Sequence, residues 1–485
     1  MSSRFPPSAS GLGAAAVGAV LVLASAIGVA PQFRSHDVSE TSAGPATGVG
    51  QPVGNAPGNA PGAKPGQRGT VNGTQQQVTG QGPLTNPGGY ACAPGKNGGN
   101  TDTGVSGNEI KLASTVAESG IGQSFLGDDR YGMLAVARQV NAAGGICGRR
   151  LTLNLVDDAW SSSTGQTDIR NFIHEGYFAL AVVPSSQGLD AASGSGDIDH
   201  AGIPVVGSDG MLKSQYADPW IWPVATSTIS TVHVAVREMY AAGVRTFGLV
   251  YDKDYKFGTE GAAAFKAAVS RLSGAKLKAD VGIPAGQQDY SGAVNTFNGD
   301  CNPCDGTFML LEPDTAISWI QSDNSSGHHV FGSKQTDGPQ PLFTSSFARG
   351  CGSLCNNMWV WTGYQAPYPP FASQPADAAY VNAIRSVSGA ADTSNQFLEG
   401  SYIGMNLLVE ALRKVGPDLT RARLKQALDS MTFDSGLTQT ETWHPGDHFA
   451  NTSMLGFTIQ FSGGFNGFQY KNTGWVTDPW AKLDR

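Results

Sequence analysis

Between residues 110 and 183 the chain runs strand, helix, strand, helix, strand, and this succession narrows the folds open to it more than any other feature. An alternating stretch at 110–115, Ile-Lys-Leu-Ala-Ser-Thr, leads into the glycine-bearing turn Ser119-Gly120-Ile121-Gly122. A helix then starts, with Met133, Val136, Ala137 and Val140 on one face and Arg138 and Gln139 on the other. Gly144-Gly145 stops it, because glycine reaches the left-handed conformation that a helix C-terminus favours. The strand at 151–156 delivers Asp157-Asp158 at its carboxyl end, a helix follows at about 165–174, and the apolar run 179–183 is the third strand. Such alternation pairs strands in parallel through right-handed crossovers. Ligands of open parallel sheets bind beyond the carboxyl ends of the strands.

The pattern restarts after 203–206 and a crossing rich in Trp and Pro, Trp220-Ile221-Trp222-Pro223. Strands are predicted at 246–251, 277–283 and 306–311, the last ending at Glu312, with helices at 259–272, at 291–297 and through Ala316, Ile317 and Ile320. Leu342-Phe343-Thr344 reads as one further strand. Residues 396–415 form a long helix that buries Phe397, Ile403, Leu407, Leu408 and Leu412; a second helix spans 420–430, and the tail at 432–480 makes short strands. The fold class is therefore α/β, with two doubly wound, Rossmann-like lobes. The late elements return to one lobe or the other and so produce several crossovers and a hinge. A cleft between two such lobes is a common place for a small-molecule site.

With 40% apolar residues among 485, the chain has material for real cores. Its net charge of -8 and the lack of a basic stripe argue against nucleic acid as a partner. Residues 1–30 carry an uncharged apolar run at 11–30 behind Arg4, which reads either as a signal peptide or as an uncleaved membrane anchor; both imply export. Residues 31–91 are Gly, Pro, Ala, Asn and Gln with almost no large apolar side chains, a flexible tether that serves as a spacer across a cell-wall layer or is left over from processing. The even number of cysteines suits an oxidising compartment. Cys92 and Cys147 flank the first β-α unit, while Cys301-Asn302-Pro303-Cys304 and Cys351-Gly352-Ser353-Leu354-Cys355 read as short closed loops, although other pairings are open. A redox role for the Cys-x-x-Cys is disfavoured because it precedes a strand instead of opening a helix. A zinc site using both pairs ranks below structural disulfides.

Several short motifs then add up. In order along the chain, Ser119-Gly120, Asn141-Ala142-Ala143-Gly144-Gly145-Ile146, Asp157-Asp158-Ala159, Gly202-Ile203-Pro204, Asp252-Lys253-Asp254-Tyr255-Lys256-Phe257-Gly258 and Ala285-Gly286-Gln287-Gln288-Asp289-Tyr290-Ser291 resemble signatures of the type I periplasmic solute-binding proteins of ABC importers, in particular the branched-chain amino-acid (Leu/Ile/Val) binding group. The resemblance covers about 105–461. It implies two lobes joined by a three-stranded hinge and closing on a small ligand. Ser185-Ser186 matches the family's serine-rich loop for the ligand carboxylate, the loop 208–211 would give backbone contacts, Phe257 would cover the ligand, and Glu312 holds another strand-end position. The ligand-binding set so implied is Phe125, Ser185, Ser186, Asp209, Gly210, Phe257, Glu312 and Ser346. One departure bears on specificity. Where the family's acidic partner of the ligand ammonium should follow 342–344, this chain has Ser345-Ser346-Phe347. An amino acid then needs Glu312 or Asp209 as substitute, and a carboxylate, amide or aromatic acid is equally open.

Alternatives stand beside these roles. Ser185-Ser186 could simply cap the next helix, and Asp157-Asp158 could brace the hinge rather than do acid-base work. His328-His329 lacks a matching cluster, and His444 and His448 lie on a turn read as surface structure. No nucleophile elbow or phosphate-binding loop occurs, so no enzyme, cofactor or metal is expected. The expected function is an extracytoplasmic binding protein that captures a small polar solute and presents it to an ABC permease in the membrane. The alternative is a receptor ectodomain that senses a ligand with the same module. Expected boundaries are 92–224 with 362–430 for the first lobe and 225–361 with 431–485 for the second.

Overall fold

The structure, a computed structural model, describes Cys92 and residues 96–483 apart from 225, 328, 329 and 473. The apolar segment and tether expected at 1–91, and His328-His329, lie outside the described residues. Among the described residues no helix is long and apolar enough to cross a membrane.

The first lobe begins with β1 (Glu109–Val116), α1 (Gln123–Leu126), α2 (Arg130–Ala142) and β2 (Arg150–Asp157). It continues through α3 (Ser162–His174), β3 (Ala179–Ala181), α4 (Ser186–Gly194), α5 (Asp197–Ala201), β4 (Val205–Val206), α6 (Lys213–Ala217) and β5 (Ile221–Trp222). The strands pair in parallel in the order β2-β1-β3-β4-β5. Three expectations are corrected here. The first helix is broken into α1 and α2 around Gly127–Asp129, and Ile221–Trp222 belongs to the sheet rather than to a crossing alone. The third strand stops at Ala181 because Val182 (φ 66°) and Val183 (φ 51°) turn left-handed.

The second lobe adds α7 (Thr228–Ala241), β6 (Thr246–Asp252), α8 (Lys256–Ser270), β7 (Lys276–Ile283), α9 (Ser291–Asp300), β8 (Gly306–Leu310), α10 (Pro313–Ser326), β9 (Gln335–Gly338), α11 (Ser345–Cys351) and β10 (Trp359–Thr362). The strand expected at 342–344 is instead a tight 3-10 turn leading to the cap of α11. The strand that takes its place, β9, reads Gln-Thr-Asp-Gly and is fully buried; Trp361 Nε1 donates to Asp337 at 2.8 Å, which satisfies one carboxylate oxygen inside the sheet. After β10 come α12 (Pro375–Val387), α13 (Gln396–Val415), α14 (Arg421–Leu428), β11 (Thr432–Phe433), β12 (Glu441–Thr442), β13 (Ser453–Phe461), β14 (Phe465–Tyr470) and β15 (Val476–Thr477). The second sheet runs β14-β13-β10-β9-β8-β6-β7, with β13 antiparallel to both β10 and β14 and with β15 also on β13.

Helices α2, α12, α13 and α14 cover one face of the first sheet, and α3 to α5 cover the other. Gly207 and Gly404 allow α13 to lie on the end of β4: a Cβ on Gly207 would stand 2.2 Å from Gly404 Cα. Met431, Phe433, Leu437 and Trp443 pack into this same core, so we place the last crossing to the second lobe near 451 rather than at 431. Around the second sheet, α9 to α11 pack on one face and α7 with α8 on the other. Three chain passages join the lobes side by side. Thr226 Oγ1 donates to Ser453 O at 3.3 Å, Asn451 Nδ2 to Gly363 O at 3.2 Å, and Gln340 Nε2 to Thr226 O at 2.6 Å. Disulfides join Cys92 to Cys147, Cys301 to Cys304 and Cys351 to Cys355. His448, expected at the surface, is buried, with Nδ1 2.5 Å from Ile221 O; His444 stays exposed on its turn.

Candidate functional site

The carboxyl ends of β1, β2, β3 and β4 face the second lobe, and the loops leaving them are held in unusual backbone. Ala159 (φ 55°) and Trp160 (φ 58°) follow β2, and Val182 and Val183 follow β3, all in the left-handed region that non-glycine residues, β-branched ones above all, seldom enter. Strain of this kind concentrates where a fold holds loops for binding. Asp158 ties the two loops together, accepting from Trp160 N and from Ser185 Oγ, each at 2.8 Å. Burial pushes its carboxyl up to about 6 despite these bonds. Room for it is made by Gly165 and Gly188, where α3 and α4 meet: a Cβ on Gly165 would lie 2.7 Å from Gly188 Cα and 2.5 Å from Asp158 Oδ2. The neighbouring Asp157 takes the opposite role. Burial works against its charge, yet the Ser119 hydroxyl and the backbone N–H groups of Ala159 and Glu118 hold its carboxyl below the usual range, and it fastens the turn after β1.

Ser185 is the N-cap residue of α4, but its hydroxyl goes to Asp158 and not to the helix. The first turn of α4 therefore lacks a side-chain cap and keeps the partial positive charge that suits an oxygen ligand. Ser186 Oγ accepts from Trp160 Nε1 at 3.3 Å. That indole is the centre of an aromatic cluster built from both lobes. From the first lobe Phe125 meets Trp160 edge-on at 5.1 Å between centroids; from the second, Tyr255 lies at 4.4 Å and Phe257 at 6.0 Å. Phe397, at the start of α13, packs on Phe125 at 5.4 Å. The lobes are thus closed on one another, with rings at the junction.

Polar contacts close the edges. Lys256 Nζ on α8 stands 2.6 Å from Asp190 Oδ1 on α4, Ser214 Oγ donates to the same oxygen at 2.5 Å, and Lys213 N donates to Glu260 Oε2 at 3.0 Å. Ser346 Oγ donates to Ser124 O at 3.2 Å across the mouth, beside a recess of about 410 Å³ that also includes Glu118, Asp128 and Arg130.

The structure brings Phe125, Ser186 and Phe257 together around Trp160, with Ser185 behind them on Asp158. The acidic positions lie differently. Asp209 Oδ1 accepts from Gln215 Nε2 at 2.7 Å and from Met211 N at 3.3 Å, and Gly210 N donates to Gln215 Oε1 at 2.9 Å, so both residues brace their own loop. Glu312 caps α10, its two oxygens accepting from Thr315 N at 2.7 Å and Asp314 N at 2.8 Å. Burial pushes both carboxyls up to about 7. Among the described residues no buried lysine or arginine stands in the cleft; the buried Arg149 donates to the chain at Ser106 and Pro417 instead. Ser208 Oγ and Gln187 Nε2, both buried, have no hydrogen-bond partner among the described residues. Trp160 and Tyr255 are not in the ligand-binding set that the resemblance implies, although Tyr255 stands within the motif at 252–258. The signal for them was present, an aromatic two residues after a strand-end aspartate pair and another just before Phe257.

A family model described as periplasmic binding protein matches residues 109–464. The chain belongs to this family. The type I fold expected from the short motifs is met, and membership brings a solute-binding role and an extracytoplasmic location. Among solved structures, this binding protein is similar to a possible leucine/isoleucine/valine-binding protein from Rhodopirellula baltica (18% identity, 76% of this chain and 97% of that one, TM-score 0.66). It is also similar to a fatty acid ABC transporter substrate-binding protein from Thermomonospora curvata (17% identity, 81% and 98%, TM-score 0.69). A third is a solute-binding protein of an ABC transporter from R. palustris in complex with 4-hydroxybenzoate (14% identity, 78% and 100%, TM-score 0.65). At these identities the likeness is one of fold. No curated protein matches the chain.

Proposed function

We propose that this binding protein captures a small solute with a flat apolar body and a carboxylate or amide end, and presents the closed form to an ABC permease. The observation that carries this reading is the composition of the junction: rings from both lobes around Trp160, beside an uncapped helix start and the hydroxyls of Ser186 and Ser208. Rings offer a flat ligand large contact area at little entropic cost. The free N–H groups of the α4 first turn favour a negative or carbonyl oxygen. An α-amino acid fits less well, because Glu312 spends both oxygens on the cap of α10 and Asp209 gives Oδ1 to its own loop, so that of these two carboxyls the buried Asp209 Oδ2 alone is left for an ammonium group. The R. palustris relative, solved with an aromatic acid, agrees with this preference. Closure would bury the solute, and a permease that engages only the closed arrangement would read occupancy from it.

A thermal-shift series of the purified protein with benzoate, benzamide and leucine tests the reading. Benzoate or benzamide at about a hundred times its Kd should add about 2.7 kcal/mol of stability and raise the midpoint by a few degrees. Leucine should leave it unchanged, and Trp160→Ala should abolish the shift. A rise with leucine alone would overturn the ligand class.

A further inference from the structure

Away from the ring cluster, a second groove runs between the lobes. It has a volume of about 430 Å³ and is walled by α11, β14 and the segment around Tyr368 on one side and by α12 and the 392–394 loop on the other. Phe465 and Tyr368 pack with the second lobe's core, while Val381 packs with the first. Its floor holds Asp392, whose oxygens already have hydrogen-bond partners. Oδ2 accepts from Ser345 N at 3.0 Å and Ser345 Oγ at 2.5 Å, and Oδ1 accepts from Ser394 N at 3.0 Å and also from the Ser394 hydroxyl.

Two arginines face this groove from opposite lobes. Arg349, on α11, gives Nη1 to Ser345 Oγ at 2.9 Å and lies 5.5 Å from the Phe465 ring, which holds the guanidinium in place. Arg385, in the last turn of α12, is exposed and makes no ion pair or side-chain hydrogen bond among the described residues. The lining therefore carries one positive charge in excess, two arginines against one saturated carboxylate, in a chain of net charge -8. Guanidinium groups bind carboxylates through short charge-assisted pairs, and the Phe465, Val381 and Tyr368 walls offer apolar surface beside them.

We propose that this groove is a second ligand site, for a small monoanion with an apolar body, and that its occupancy is coupled to the lobe arrangement. The coupling follows from the walls. A ligand held by Arg349 and Arg385 together stabilises the arrangement in which both reach it, and shifts the equilibrium between open and closed forms by its difference in affinity for the two. Solute capture at the ring cluster and anion binding in the groove then influence each other reciprocally.

Fluorine NMR of the purified protein tests this with trifluorobutyrate as probe and trifluorobutanol as its uncharged counterpart. The acid should bind saturably and the alcohol should not. Arg349→Gln and Arg385→Gln should each weaken the acid by about tenfold, while Lys278→Gln, an exposed cation on β7 away from both sites, should leave it unchanged. Both arginines are exposed, and near-ultraviolet circular dichroism confirms that each variant is folded. The proposal is overturned if the acid does not saturate, if the alcohol binds equally, if either folded arginine variant keeps wild-type binding, or if Lys278→Gln weakens the acid as much as they do.

Discussion

Asp158 shows how a single buried carboxyl organises this site without touching chemistry. It holds the Trp160 amide and the Ser185 hydroxyl, and it does so in a space that exists only because Gly165 and Gly188 bring α3 against α4. Gly165→Ala would put a methyl group 2.5 Å from Asp158 Oδ2 and 2.7 Å from Gly188 Cα, so the helices must separate or the carboxyl must move. Overpacking of this kind costs about 1 to 3 kcal/mol. The expected outcome is a lower melting midpoint together with weaker solute binding, because the loops bearing Trp160 and Ser186 shift with Asp158. Gly292→Ala provides the comparison: it sits in α9 with nothing within 4 Å of the added Cβ, and should be neutral or stabilise by about 0.5 to 1 kcal/mol. Equal effects of the two substitutions on midpoint and binding would remove the role given to the glycine contact.

Among the elements, α8 and α4 carry the edge of closure. Lys256 and Glu260 on α8 reach Asp190 and the Lys213 amide on the first lobe; the Lys256 side chain is 46% exposed and Asp190 20%, so the pair stays in contact with solvent. Exposed pairs contribute about 0.2 to 1 kcal/mol and are screened by salt. Lys256→Gln should therefore weaken solute binding roughly two- to fivefold at low ionic strength, and the difference from wild type should shrink in molar salt. A salt-independent loss, measured by calorimetry, would mean that Lys256 acts through packing of its stem instead. The same elements show what could be read in the chain. The first three strands were legible from their apolar residues, and α13 because its apolar spacing matches its burial over Gln396–Val415. Helix α7 was passed over because its sequence is mixed with Ser, Thr and His and is buried nearly all round, so it has no polar face to mark a period. Strand β9 was hidden by polarity, Gln-Thr-Asp-Gly giving no apolar run, and Leu342-Phe343 drew attention in its place while packing into the core as a turn. At the site, family spacing points to Ser186 and Phe257, and both lie against Trp160. The inward turn of Asp209 and Glu312 was not legible, since it depends on partners, Gln215 and the first turn of α10, that no single motif contains.

At the scale of the whole molecule, the interior is rich in carboxyl groups and almost without cations. Asp129, Asp252, Glu399 and Glu441 are buried, and burial raises each of them well above its ordinary value, with nearby carboxyls adding to the rise in the first three. Burial likewise carries Asp158 to about 6 and Asp209, Glu312 and Asp337 to about 7. Arg149 is the buried counterweight among the described residues, aside from histidines, and it serves carbonyl oxygens at the far end of the first lobe. The sign of the linkage follows. In the unfolded chain these acids lose their protons near pH 4, whereas in the folded protein they keep them to higher pH, so between these values the native state binds more protons. The stability they contribute is fully present below about pH 4 and drains away as pH rises through 6 to 7. Each pKa unit on one such group is worth about 1.4 kcal/mol, on the order of 2 °C in midpoint for a chain of this size. The melting midpoint should therefore be higher at pH 5 than at pH 8 at constant ionic strength. Glu399→Gln should flatten that slope, because it replaces a carboxyl that must ionise in a dry core by a neutral amide of the same shape. A midpoint that rises from pH 5 to pH 8 would show that these carboxyls are charged in the folded protein and that their partners have been misassigned.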